Sequence, residues 1–145
     1  MQGSTLAGMD PNTQPNIAVR VRLENPTGST VVAQVGFRNE GSTPVRLWRR
    51  LTLPEGKMDG EHFNITADGQ PVEYLGRTVK RSSPGPDEFI LLGAQQVVAS
   101  KIPLNDYYAI PARSQINVTY EAFNPSIGDQ PLIRMQSNTA TITVP

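Results

Sequence analysis

FNITADGQPVEY, residues Phe63 to Tyr74, outlines a β-hairpin on its own. Phe63 and Ile65 alternate with Asn64 and Thr66, as a strand with one wet face requires. Ala67-Asp68-Gly69 supplies a turn, because Asp-Gly accepts the positive φ of a tight two-residue loop. Val72, Glu73 and Tyr74 then resume the alternation as the return strand. The rest of the chain extends this pattern in both directions.

Upstream, Ile17, Val19, Val21 and Leu23 alternate with Ala18, Arg20, Arg22 and Glu24. A turn at Asn25-Pro-Thr-Gly28 leads to Val31, Ala33, Val35 and Phe37, and Asn39-Glu-Gly41 closes that strand. Val45 to Leu53 is a third strand in which Arg49 breaks the phase, which predicts a bulge or bend there. Downstream strands are expected at Phe89 to Leu92, Gln96 to Ser100, Ile116 to Glu121 and Ala140 to Val144. Ser82 to Asp87 (SSPGPD) is the most loop-like interior segment. No window carries a sustained 3.6-residue period. Gly and Pro number 12 and 13, a composition that favours turns over long helices. The expected fold is therefore all-β: an antiparallel, immunoglobulin-like β-sandwich of about 7–9 strands. Residues 1–16 are expected to be a flexible leader, a remnant added to the natural chain or the start of a mature form, and residues 17–145 one β-sandwich domain.

Charge narrows the function. The 13 basic and 13 acidic residues cancel, so no global field draws the chain onto nucleic acid or an anionic membrane. No apolar run approaches the about 18 residues a spanning helix needs, so membrane insertion is not expected. The polar N-terminus lacks the basic and apolar regions of a signal peptide.

Catalytic and cofactor chemistry find little to use. The chain has no cysteine, which removes disulfides, thiolate ligands and thiol nucleophiles. His62 is its one histidine; it has no HExxH helix around it, and a loop-edge, exposed histidine is the simplest reading. GxSxG elbows, calcium loops and phosphate-binding glycine loops are missing, and the acidic residues are scattered over turns. Asn64-Ile-Thr66 and Asn117-Val-Thr119 fit the glycosylation tripeptide on outward positions, a short pattern that arises by chance. No catalytic residue, metal ligand or cofactor is expected, and the protein is read as not an enzyme.

Basic residues are the uneven feature. Arg46, Arg49 and Arg50 lie in one short window; Arg77, Lys80 and Arg81 lie in another. Trp48, the single tryptophan, sits in the first. Trp and Arg are enriched where binding energy concentrates, so Trp48, Arg49, Arg50, Arg77, Lys80 and Arg81 are the candidate partner-binding residues. The plainer alternative is a solvated sheet face with Trp48 packed under arginine stems.

The order of motifs resembles that of the N-terminal β-sandwich domain of deuterolysin-type zinc metallopeptidases. Phe63, Ile65, Asp68, Gly69, Val72, Tyr74, Gly76, Lys80, Arg81 and Phe89 match its central run. Val35 to Gly41, Leu104 to Ile110, Val118 to Tyr120 and Ser137-Asn138 are similar to flanking segments. The family's HExxH helix and downstream aspartate have no counterpart among these residues, so no zinc or catalytic residue is carried over. The resemblance implies a propeptide-like domain that helps a peptidase fold and keeps it inactive, and thus a secreted or periplasmic protein. Its expected partner is a protein, a deuterolysin-like metallopeptidase. The alternative is a structural or adhesive secreted module that self-associates.

Overall fold

The computed structural model describes residues 16–79 and 83–145. Among them nine strands follow one another: β1 (Ile17–Glu24), β2 (Val32–Asn39), β3 (Val45–Trp48), β4 (Phe63–Ala67), β5 (Gln70–Pro71), β6 (Phe89–Leu92), β7 (Val97–Pro103), β8 (Ser114–Asn124) and β9 (Ile133–Val144). Seven of them form one continuous sheet in the order β5-β4-β8-β9-β1-β2-β7, and β3 pairs with β6 alone. The expected all-β sandwich is the observed architecture, and four 3-10 turns between Arg49 and Asp106 are its helical content within the described residues.

The sheet makes two layers because β9 changes partners along its length. Opposite β8 its register passes from Thr119–Thr139 to Glu121–Gln136, so Tyr120 alone faces both Ser137 and Asn138. That bulge redirects the strand. Ser137 Oγ accepts the Tyr120 N–H at 2.8 Å. Asn138 reaches β1, where its Oδ1 accepts the Val21 N–H at 2.8 Å and its Nδ2 donates to the Val21 carbonyl at 3.1 Å. A side-chain amide thus stands in for the missing backbone ladder, and β1 meets β9 in parallel at Val19–Ser137.

The two halves close on each other through their alternating apolar faces. Ile17, Val19 and Val21 of β1, Ala33, Val35 and Phe37 of β2, and Ile116, Val118 and Tyr120 of β8 are all buried. Phe37 stands edge-on to Tyr120 across the layers at 5.3 Å between ring centroids, and Phe63 packs edge-on to the same ring at 5.5 Å. Each aromatic ring buried here contributes on the order of 2–3 kcal/mol by area, before the edge-to-face term. Two buried phenols are matched. Tyr120 Oη donates to the Leu51 carbonyl at 2.7 Å, and Tyr108 Oη donates to the Phe63 carbonyl at 3.1 Å.

The hairpin expected from Phe63 to Tyr74 is present, with Asp68 at φ 47° and Gly69 at φ 84°. Its return limb is shorter than expected. It pairs over Gln70–Pro71, keeps one further bond from Val72 N–H to the Ile65 carbonyl at 2.9 Å, and then swings to Tyr108. The expected break at Arg49 is an end rather than a bulge. β3 stops at Trp48, the chain enters a 3-10 turn at Arg49–Thr52, and Leu53 takes a left-handed conformation at φ 57°. β9 begins at Ile133, well before the expected Ala140.

The small β3–β6 sheet is fastened to the sandwich by buried amides. Asn39, fully buried, donates from Nδ2 to the carbonyls of Thr43 and Leu92 at 2.8 and 2.9 Å and accepts the Gly41 N–H at 2.9 Å. Asn124 Oδ1 accepts the Trp48 N–H at 2.8 Å while its Nδ2 donates to the Arg46 carbonyl at 2.9 Å. Gln130 grips Arg46 at both backbone groups, accepting its N–H at 2.9 Å and donating to its carbonyl at 2.8 Å.

Candidate functional site

Trp48 ends β3 because the next four residues turn away, and that turn brings Arg50 back over the indole. The Arg50 guanidinium carbon lies 4.6 Å above the ring centroid. The same guanidinium is held in the sheet's outer corner by Asp59, with Nε donating to Oδ1 at 3.1 Å and Nη2 completing an ion pair. Stacking on Trp48 contributes about 0.5–2 kcal/mol where the pair is partly desolvated, and the side chain of Arg50 is 18% exposed.

Two clefts flank this arginine. The larger, about 680 Å³, lies between Pro54–Asp59 on one wall and Gly76–Val79 on the other, with Tyr107 beneath. The walls are tied by backbone. Val79 N–H donates to the Asp59 carbonyl at 3.1 Å, Met58 N–H donates to Tyr107 Oη at 3.2 Å, and Leu75 N–H donates to the Tyr107 carbonyl at 2.7 Å. Gly76 has no room for a side chain, since a Cβ there would stand 2.5 Å from Tyr74 Oη, which itself donates to the Arg77 carbonyl. The smaller cleft, about 190 Å³, is bounded by Trp48, Arg49, Arg50, Pro54 and Glu88.

The structure therefore gathers Trp48, Arg49 and Arg50 at one cleft and sets Arg77 with Arg50 at the other. Lys80 and Arg81 lie outside the described residues. The sequence reading missed that Phe89 and Leu91 share this surface. β3–β6 register sets Trp48 opposite Phe89 and Arg46 opposite Leu91, so the four side chains occupy one face. Leu91 is 67% exposed. Nothing in the local sequence of Phe89-Ile-Leu-Leu92 names its partner strand, so only the fold could reveal this pairing.

His62 corrects an expectation. It precedes β4 as foreseen, but its ring is mostly withdrawn from water instead of exposed. It is tilted beside Tyr120 at 6.1 Å, and its Nε2 is buried without a hydrogen-bond partner among the described residues. Arg50 comes near it across Gly60, where the space of a Cβ lies 3.4 Å from Arg50 Nη2 and 3.9 Å from His62 Nε2, ordinary contact distances. Burial, reinforced by the Arg50 charge and opposed by Asp59, lowers the imidazole pKa to about 4. At neutral pH the ring is uncharged and a weak base. Among the described residues no group of three or more His, Cys, Asp or Glu side chains is placed to hold a metal ion, and no helix is long and apolar enough to cross a membrane.

No family model matches the chain. It is 31% identical over 117 residues to an extracellular protease of Aeromonas hydrophila, a match that takes in 79% of this chain and 33% of that protein. The chain thus spans about a third of the length of the curated relative it matches. A solved structure from Bacillus subtilis, described as a lipoprotein, overlays with a TM-score of 0.37 at 12% identity, covering 89% of this chain and 34% of that one.

Proposed function

We propose that this chain is a non-catalytic, protein-binding β-sandwich of a secreted proteolytic system, acting on a deuterolysin-like metallopeptidase as a pro-domain-like inhibitor or folding chaperone. The observation that carries the reading is the similarity to an extracellular protease, which involves most of this chain and only a third of the relative. A region of that size accompanies the remainder of a protease without needing reactive groups of its own. The surface fits the role. Trp48 and Arg50 are a prearranged aromatic–arginine pair beside two clefts, and Arg49 and Arg77 are exposed at their rims. Groups already held in place lose little entropy when a partner docks. The same similarity supports placing the protein outside the cytoplasm.

The test uses the separately produced chain and the Aeromonas hydrophila protease it matches. Inhibition of the mature protease at about micromolar concentration, or a faster recovery of activity when the denatured protease is refolded with the chain, is expected. Absence of both effects overturns the reading. Substituting Trp48→Ala and Arg77→Ala together is expected to weaken either effect about tenfold or more.

A further inference from the structure

The two edges of the β3–β6 sheet are treated differently. On β3 the outward backbone groups are already occupied: Gln130 takes the N–H and carbonyl of Arg46, and Asn124 takes the N–H of Trp48. Opposite residues in an antiparallel pair exchange both backbone bonds or neither. Arg46 and Trp48 therefore do not bond to their opposites, Leu91 and Phe89. The N–H and carbonyl of Leu91 must point away from β3, and no described residue meets them. Phe89 N–H turns back to the Pro86 carbonyl, which leaves the Phe89 carbonyl outward as well. Beyond Leu92 the edge is closed, since Gly93 N–H donates to Gln96 Oε1 at 2.6 Å. β6 thus offers three adjacent, unpaired backbone groups on a strand whose far side is plugged.

Side chains around this edge state what suits it. On the outer face Arg46 and Arg49 are exposed and carry no ion pair among the described residues, whereas Arg50 is committed to Asp59. Arg46 lies one strand back from the edge, and two strand spacings of about 9–10 Å are within the combined reach of an arginine and a glutamate. On the inner face Ile90 is only half-buried, so its open flank has apolar surface still to cover.

We propose that the Phe89–Leu92 edge receives an extended segment of the protein partner as a third strand, with acidic side chains outward beside Arg46 and Arg49 and apolar ones inward beside Ile90. Main-chain bonds to Leu91 and Phe89 supply affinity, and the alternation supplies selectivity. A second copy of this chain is the poorer occupant, because it would bring the same arginines toward a basic patch. The proposal rests on the protein-binding reading above and sharpens how the partner is held.

A blocked peptide of alternating glutamate and valine, titrated into the chain and followed by Trp48 fluorescence, tests it independently of any protease. Trp48 is the single tryptophan and shares the β6 face. Saturable binding is expected, weakened about tenfold or more when lysine replaces glutamate in the peptide. Leu91→Pro removes one outward N–H and no ladder bond, so it should cost about the same factor. The pair Arg46→Glu and Arg49→Glu should do likewise without touching the backbone, and it keeps the test alive if Leu91→Pro fails to fold. Absence of saturable binding, indifference to peptide charge, or affinity unchanged by the variants overturns the proposal. So does concentration-dependent dimerisation that Leu91→Pro abolishes, since a second copy would then own the edge. Failure of protease inhibition with peptide binding intact sinks the function proposed above and leaves strand addition standing.

Discussion

β8 and β6 are both strands with one face toward the interior, yet they are built to different ends. β8 runs eleven residues between two paired neighbours, and each alternate residue from Ser114 to Asn124 is buried. Among the described residues β6 runs four residues with a single neighbour, and only Leu92 is buried. Around β8 the backbone is satisfied by strands and the side chains by aromatic packing. Around β6 one flank of the sheet is satisfied by the amides of Asn124 and Gln130, and the other meets no described residue. The first arrangement concentrates stability, and the second leaves a surface that something else can complete. Between them sits Arg50, which touches Trp48 on the small sheet and lies near His62 against the large one.

Breaking the packed side should have the largest effect. Phe37→Ala removes a fully buried ring that seals the two layers against Tyr120, and truncations of this kind cost about 3–5 kcal/mol. Urea unfolding of the variant measures it. A loss below about 1 kcal/mol would mean that the layers are not sealed at this point.

Acid attacks the junction. His62 has its folded-state pKa lowered to about 4, against about 6.5 in an unfolded chain. As pH falls below 6.5 the unfolded chain takes up this proton first, so the stability contributed by the neutral ring is full above pH 6.5. It declines toward pH 4, and the total loss is about 3 kcal/mol on the linkage relation. Urea midpoints at pH 7.5 and pH 4 should show that decline, and His62→Leu should flatten it. A slope that survives the substitution assigns the pH dependence to another group.

The parts of this comparison were unequally legible in the amino-acid sequence. Strands with one wet face announce themselves, which is why β1, β2 and the centre of β8 were found with the right phase. The Asp68-Gly69 turn was legible because its backbone requirement is local. β9 was half lost for a physical reason. Its inward residues are Ile133 and Met135 before the bulge and Ala140, Ile142 and Val144 after it, so Ser137–Asn138 shifts the phase and the alternation reads as two fragments. His62 was misjudged because its burial comes from Tyr120 and Arg50, far apart in sequence, with the acidic Glu61 as its visible neighbour. Trp48, Arg49 and Arg50 could be grouped from proximity alone. Asp59, Phe89 and Leu91 join them only through long-range pairing, for which a single sequence holds no signal.

Asn124→Ala probes the plugged edge and should have an intermediate effect. It strips the Trp48 N–H of its acceptor and the Arg46 carbonyl of one of two donors, at a fully buried position. Leaving a buried donor unpaired costs about 1–3 kcal/mol. Stability should fall by that amount, and hydrogen exchange at the Trp48 amide should quicken. An unchanged exchange rate would show that the amide is protected by something other than Asn124.

Leu91→Thr should have the smallest effect on folding and is the sharpest test of the contrast. Its side chain stands outward, 67% exposed, and its backbone groups make no ladder bond, so the folded chain gains little from it. Threonine suits an edge strand as well as leucine does. The expected change is within about 0.5 kcal/mol, as for surface substitutions elsewhere. Fluorescence of Trp48 in the unliganded protein should stay the same, since the indole is fixed by Arg50 and by Asn124 rather than by Leu91. A loss above about 1 kcal/mol would mean that Leu91 already packs against its own chain, and β6 would then belong with β8 as part of the core.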